Sequence, residues 1–270
     1  MKNTIGFRDS SSDECEDAVI TEAVPAVERE PVCCIAKVSF KDSGIALDYY
    51  NDEFYLEPGD RVFVSGKHYG SPGLVESVTT HFRIDKSKYK KVIAKSDLHI
   101  TGSFIRVKDK YISFDTSYDA AKFETFAVPP RNTDKDGEED IICGEGWCVP
   151  LSCFEESKCV SRDKIRLGFE YCAAGRVLYL SLANGKGTAF IKGREIYKAE
   201  FEFDGETVTG LFCSCPFNDD CMCKHEIAVL ITLRMLMGRP ELEGKRDFAA
   251  FDAALFRDFA ASRAKEITLK

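Results

Sequence analysis

The chain has 270 residues, 44% hydrophobic and 30% charged, with a formal net charge of −8. That length allows one large or two modest domains with a real core, and the composition is that of an ordinary soluble globular protein. The acidic balance excludes a surface that is basic all round, so any contact with nucleic acid has to be local.

Twelve cysteines, with no positive-then-apolar leader in the first thirty residues, predict reduced thiols or metal ligands in an intracellular, cytoplasmic protein rather than a disulfide scaffold. The longest apolar run, Ile227 to Met237, is interrupted by Thr232 and Arg234 and is too short to cross a bilayer.

Residues 1–30 hold the acidic run Asp13, Glu14, Glu16 and Asp17 with few large apolar groups, which reads as a flexible tail. Residues 31–128 read as a small β-barrel-like domain. Val32, Cys34, Ala36, Val38 and Phe40 alternate at strand period, and turns are expected at Asp42-Ser-Gly44 and Glu57-Pro-Gly-Asp60. Further short strands are predicted over 45–50, 61–65, 73–78, 81–84, 92–94, 100–107 and 111–114. The Pro-Gly-Asp turn followed by Val-Phe-Val faintly resembles SH3-like or KOW-like barrels, chemistry that recurs without shared function.

In this stretch Lys67, Arg83, Lys86, Lys88, Lys90 and Lys91, with Arg61 and Lys95, face only Glu76 and Asp85. Tyr69, Phe82 and Tyr89 are interleaved with them, a pattern suited to a groove that follows a phosphate backbone and stacks bases. The competing reading is a solvated edge, where lysines keep strands from pairing with neighbours. Gly66-Lys67-His68 lacks the glycine and the hydroxyl residue that a phosphate-binding loop needs.

Residues 129–140, Pro-rich and then charged, read as a linker. Residues 141–240 form the second expected domain. Cys143, Cys148, Cys153 and Cys159 are spaced at or beyond the loose edge of structural zinc pairs and have no histidine with them, so a second zinc site is open, but the favoured reading is reduced thiols packed near Trp147 and Phe154. A helix ended by Gly175, a hairpin turning at Gly185-Lys-Gly187 and another at Asp204-Gly205 are predicted. Over 241–270, Phe248, Phe251, Ala254, Leu255, Phe259 and Ala260 recur at helical spacing, so the C-terminal segment reads as a helix. The fold class predicted is α+β, mainly β.

The densest chemistry lies at Cys213-Ser-Cys215-Pro-Phe-Asn-Asp-Asp-Cys221-Met-Cys223-Lys-His225. Residues i and i+2 of an extended strand point the same way, so Cys213 and Cys215 can grip one side of an ion. Cys223 and His225 form a second pair where a helix begins, and Zn²⁺ takes four such donors in a tetrahedron. The positive end of that helix, with Lys224, would offset the net negative charge of a three-thiolate centre. Cys221 is a fifth donor, so a Cys213/Cys215/Cys221/Cys223 set is also open.

The pattern C-x-C-x(7)-C-x-H followed by a hydrophobic helix resembles the SWIM zinc finger, and Cys223 to Leu230 is similar to that family's second half. Phe190 to Tyr197 resembles the strand that precedes its first cysteine. The resemblance covers roughly residues 165–240. It implies zinc on Cys213, Cys215, Cys223 and His225, with Cys221 a bystander. It also implies DNA binding, for which the charge pattern offers Lys224 and the cations Lys67, Arg83, Lys86, Lys88, Lys90 and Lys91 as phosphate contacts, or a role as adaptor for a protein partner such as an SNF2-type helicase, since bacterial SNF2-type ATPases carry the domain. No nucleophile pairs with His68, His81 or His99, and four protein ligands leave zinc no open position, so no enzyme is expected.

Overall fold

The computed structural model describes residues 29–41, 44–96, 100–114, 124, 127–129, 145–217, 219–261 and 265–269. The expected acidic tail up to residue 28, the turn at Asp42, linker residues 130–140, His99 and Cys143 lie outside them. Among the described residues no helix is long and apolar enough to cross a membrane.

The chain is mainly β. The first five strands are β1 (Cys34–Phe40), β2 (Ile45–Asn51), β3 (Arg61–Val64), β4 (Gly73–Thr79) and β5 (Val92–Ser96). They form an antiparallel sheet in the order β2-β1-β4-β3-β5. Cys34, Ala36, Val38 and Phe40 of β1 are buried, as the period-2 pattern requires, and pack with Tyr49, Val62, Val64, Val75 and Val92 in a core of their own.

The predicted barrel does not close. The two edge strands meet at one bridge, Tyr50 with Lys91, and the four-residue β3 with its register break between Phe63 and Val64 gives too little ladder to carry a closed stagger. The strand expected at 81–84 is absent. That segment is irregular and ends in a 3-10 turn, Lys86–Lys88, capped by the Asp85 side chain.

Among the described residues the second sheet has nine strands. They are β6 (Ile100–Val107), β7 (Lys110–Ser113), β8 (Trp147–Pro150), β9 (Val177–Ala183), β10 (Lys186–Lys192), β11 (Ile196–Phe203), β12 (Thr207–Cys213), β13 (Phe248–Asp252) and β14 (Lys265–Leu269). Their order is β14-β6-β7-β13-β9-β10-β11-β12-β8, antiparallel except for β6 with β14. Strands β6 and β7, predicted in the barrel, therefore belong here, because β7 finds its partner in β13, far along the chain.

β13 also corrects the C-terminal helix. All five of its residues are buried, since β7 and β9 flank it and side chains on both faces are covered. Such a strand is a continuous apolar run that mimics a helix stripe. The helix proper, α3 (Ala253–Ala261), starts only where Asp252 Oδ1 accepts the Ala254 N–H at 2.9 Å.

Two further helices, α1 (Arg162–Ala173) and α2 (Lys224–Met237), lie against each other. They cross at Gly168, where an added Cβ would stand 2.5 Å from Ile227 Cγ2, so only glycine allows this approach. Ile227, Val229, Leu230, Leu233 and Leu236 of α2 are buried against Val177, Ala199, Phe201 and Leu211 of the sheet. Each such side chain contributes about 1.5–3 kcal/mol of burial, so the core fixes where α2 begins. The turn between β9 and β10 is Asn184-Gly185, both at positive φ, the type I′ geometry that suits hairpin twist. It lies one residue before the glycine-lysine-glycine turn read from the sequence.

A candidate metal centre at a strand end and a helix start

β12 ends at Cys213, buried and paired with Ala199 of β11. The ladder runs one step further, for Ser214 N–H donates to Lys198 O at 2.8 Å and Lys198 N–H to Ser214 Oγ at 2.9 Å. That extension carries the pairing through Ser214, and Cys215 follows at the bend, with its sulfur close to that of Cys213. The chain then returns to Cys223, the N-cap of α2, whose sulfur accepts the Glu226 N–H at 3.4 Å. His225 follows in the first helical turn, 5% exposed.

The sulfurs of Cys213, Cys215 and Cys223 and a ring nitrogen of His225 all lie within 4.8 Å of one another. Donors about 2.3 Å from a tetrahedral centre stand about 3.8 Å apart, and Cys223 Sγ to His225 Nδ1 is 3.8 Å. The donor set fits a four-coordinate metal ion. Cys221 is outside the cluster, which favours the set containing His225 over the four-cysteine alternative.

The electrostatics also fit. Hydrogen bonds from Cys213 and Cys223 hold the Cys215 thiol well below the usual range, while the bond to Cys215 pushes Cys213 up. Cys223 is raised by its bonds to Cys213 and Cys215 and by burial. Three crowded sulfurs, two of them buried, thus resist carrying a negative charge each. A divalent cation removes that constraint by taking all three as thiolates.

Glu226 joins the two halves of the site. It is 5% exposed; its Oε1 accepts the Cys213 N–H at 3.1 Å and its Oε2 the Cys223 N–H at 2.7 Å. Burial pushes this carboxyl up, yet it spans strand end and helix start. Above the site, His225 Nε2 is buried without a hydrogen-bond partner. The His225 ring is flanked by Tyr197 and Tyr171, centroids 4.8 and 5.2 Å away. Gly193 closes over it, since a Cβ there would stand 2.9 Å from Nε2. Glu226, Tyr171, Tyr197 and Gly193 are the site residues that sequence reasoning missed. A signal existed for Glu226 alone: Cys-x-x-Glu has the spacing of a capping box.

The predicted phosphate contacts divide into two places. Lys67, Arg83, Lys86, Lys88 and Lys90 are exposed and Lys91 half-buried at one end of the first sheet. Lys91 pairs with Asp52 at 2.9 Å and Glu53 at 2.5 Å, and Lys86 approaches Asp52 at 3.9 Å and the Tyr50 ring at 4.6 Å. The Glu53 and Asp52 bonds raise Lys91 to about 12. Lys224 is remote in sequence and stands at the metal-site helix. Of the wider-spaced cysteines, Cys148, Cys153 and Cys159 are free thiols, and Cys159 packs against the large core.

No family model matches the chain, and comparison with curated proteins and with solved structures finds no match either.

Proposed function

We propose that Cys213, Cys215, Cys223 and His225 hold a structural Zn²⁺ ion in a SWIM-type finger, and that the protein is a non-catalytic DNA-binding module serving partners such as SNF2-type helicases. The observation that carries the zinc reading is the convergence of three sulfurs and an imidazole within 4.8 Å. Three soft thiolates and one imidazole suit Zn²⁺ better than the oxygen-seeking Mg²⁺ or Ca²⁺. With all four positions taken by the protein, the ion supplies folding energy and shape, and no water-activating position remains.

The DNA reading is supported by Lys67, Lys88 and Lys90, exposed cations at one end of the first sheet, which need only a local surface on an acidic chain. Its test is fluorescence anisotropy of labelled single- and double-stranded DNA with the zinc-loaded protein at several salt concentrations. The expected result is binding that weakens linearly in log salt and disappears on chelation. Absence of binding at low salt contradicts it. In that case the adaptor reading takes its place, favoured by Phe169 and Met235, exposed at 47% and 49% on α1 and α2. Cys172 Sγ stands 3.7 Å from Met235 Sδ, so Met235 packs against α1 while much of its side chain stays exposed.

A further inference from the structure

A groove of about 350 Å³ opens beside the metal-site residues, with Lys164, Lys224, Tyr197, Phe217, Cys215 and His225 in its wall. Among the described residues that line it there is no carboxylate. Lys164 Nζ rests 3.7 Å from the centre of the Phe217 ring. Lys224 Nζ and Arg176 Cζ each lie 5.0 Å from the centre of the Tyr171 ring.

These cations differ from three of the first sheet. Lys86, Lys91 and Lys95 approach Asp52, Glu53 and Asp60, so an incoming phosphate has to compete with a carboxylate. Lys164 and Lys224 have no carboxylate partner among the described residues. They are parked on aromatic faces, a weaker contact than a charge-assisted bond to an anion. A phosphate can therefore recruit both ammonium groups while the rings stay in place as stacking platforms.

We propose that this groove binds the backbone of single-stranded DNA, with phosphates on Lys164 and Lys224 and an unpaired base against Phe217 and Tyr197. The inference rests on the reading of the chain as a nucleic-acid module and locates its contact surface at the finger. A duplex keeps its bases stacked inside and leaves the rings unused, whereas base–aromatic stacking is open to a single strand of any sequence.

The test uses the full-length, zinc-loaded chain and a fluorescent oligothymidylate, with anisotropy read between about 50 and about 200 mM salt. Lys164→Ala with Lys224→Ala is compared with Lys164→Arg with Lys224→Arg, and Phe217→Ala is measured separately. The absorption of the Co²⁺-substituted proteins reports the metal centre.

The alanine pair is expected to bind about tenfold more weakly with a salt slope shallower by about 1.4, at about 0.7 per phosphate contact. The arginine pair should restore both. Phe217→Ala should weaken binding about fivefold or more with the slope unchanged. The Co²⁺ spectrum should stay the same throughout. If the wild type binds and the alanine pair matches it in affinity and slope, the groove proposal falls and the module reading stands. If the alanine pair loses the Co²⁺ spectrum, the lysines serve to neutralise the thiolates and the proposal falls. No binding by the wild type overturns both.

Discussion

Glu226 joins the two halves of the candidate metal centre without belonging to its donor set. Its two oxygens hold the backbone amides of Cys213 and Cys223, and partners of this kind typically govern metal affinity by 10- to 100-fold. Glu226→Gln keeps the shape but replaces one acceptor oxygen by a donor that faces an amide N–H. We expect Zn²⁺ affinity, measured by chelator competition, to fall within that range of about 10- to 100-fold; unchanged affinity would deny the carboxylate its positioning role. Cys213→Ser or His225→Ala should abolish tight binding and Cys221→Ser should preserve it, since Cys221 lies outside the donor cluster. Equal loss in all three would overturn the ligand assignment. The four donors were legible in the sequence because i, i+2 spacing determines which way side chains point. The role of Glu226 was not legible, because it depends on an amide thirteen positions away.

At the scale of elements, what the sequence reveals depends on how many faces are buried. β1 alternates and was legible residue by residue, as was the start of α2 just after Cys223. β13, β6 and β7 were not, since a strand covered on both faces has no alternation and its partner comes from the far end of the chain. The C-terminal end of α2 is tied to the loop after β8 by Arg234, whose Nη1 and Nη2 donate to Glu155 Oε2 and Oε1 at 2.9 and 2.5 Å.

The Arg234 bond holds the Glu155 carboxyl below its ordinary value of 4.5. A carboxyl depressed in the folded state contributes stability above its unfolded pKa, and that contribution is lost as pH falls through the folded pKa. Both side chains are about one-third exposed, so screening limits the pair to about 1 kcal/mol. Urea denaturation of Glu155→Gln should show that deficit at pH 7 and lose it as pH falls through the lowered pKa of the folded carboxyl. A deficit that persists in acid would mean that packing, not charge, is responsible.

The described residues form two sheets, the first with an apolar core of its own and the second with two apolar clusters, and the candidate metal site sits at the end of β12 in the second. Structural zinc supplies about 10–16 kcal/mol in small fingers, as much as the whole stability of a typical domain at about 5–15 kcal/mol. Here the buried face of α2 also holds the second sheet, so an ion bound at the cluster would add to a core that already exists. Chelation should therefore loosen the segment from Cys213 to His225 and lower the stability of the second sheet. The first sheet should keep its melting transition, followed by near-ultraviolet circular dichroism of its tyrosines.

The most direct test of the zinc-binding centre is the metal content of the purified full-length protein, by mass spectrometry after exhaustive dialysis. One tightly held zinc per chain, lost when Cys223 and His225 are both replaced, is the predicted result. A folded protein free of metal, or one that keeps its zinc without those two side chains, would contradict the account.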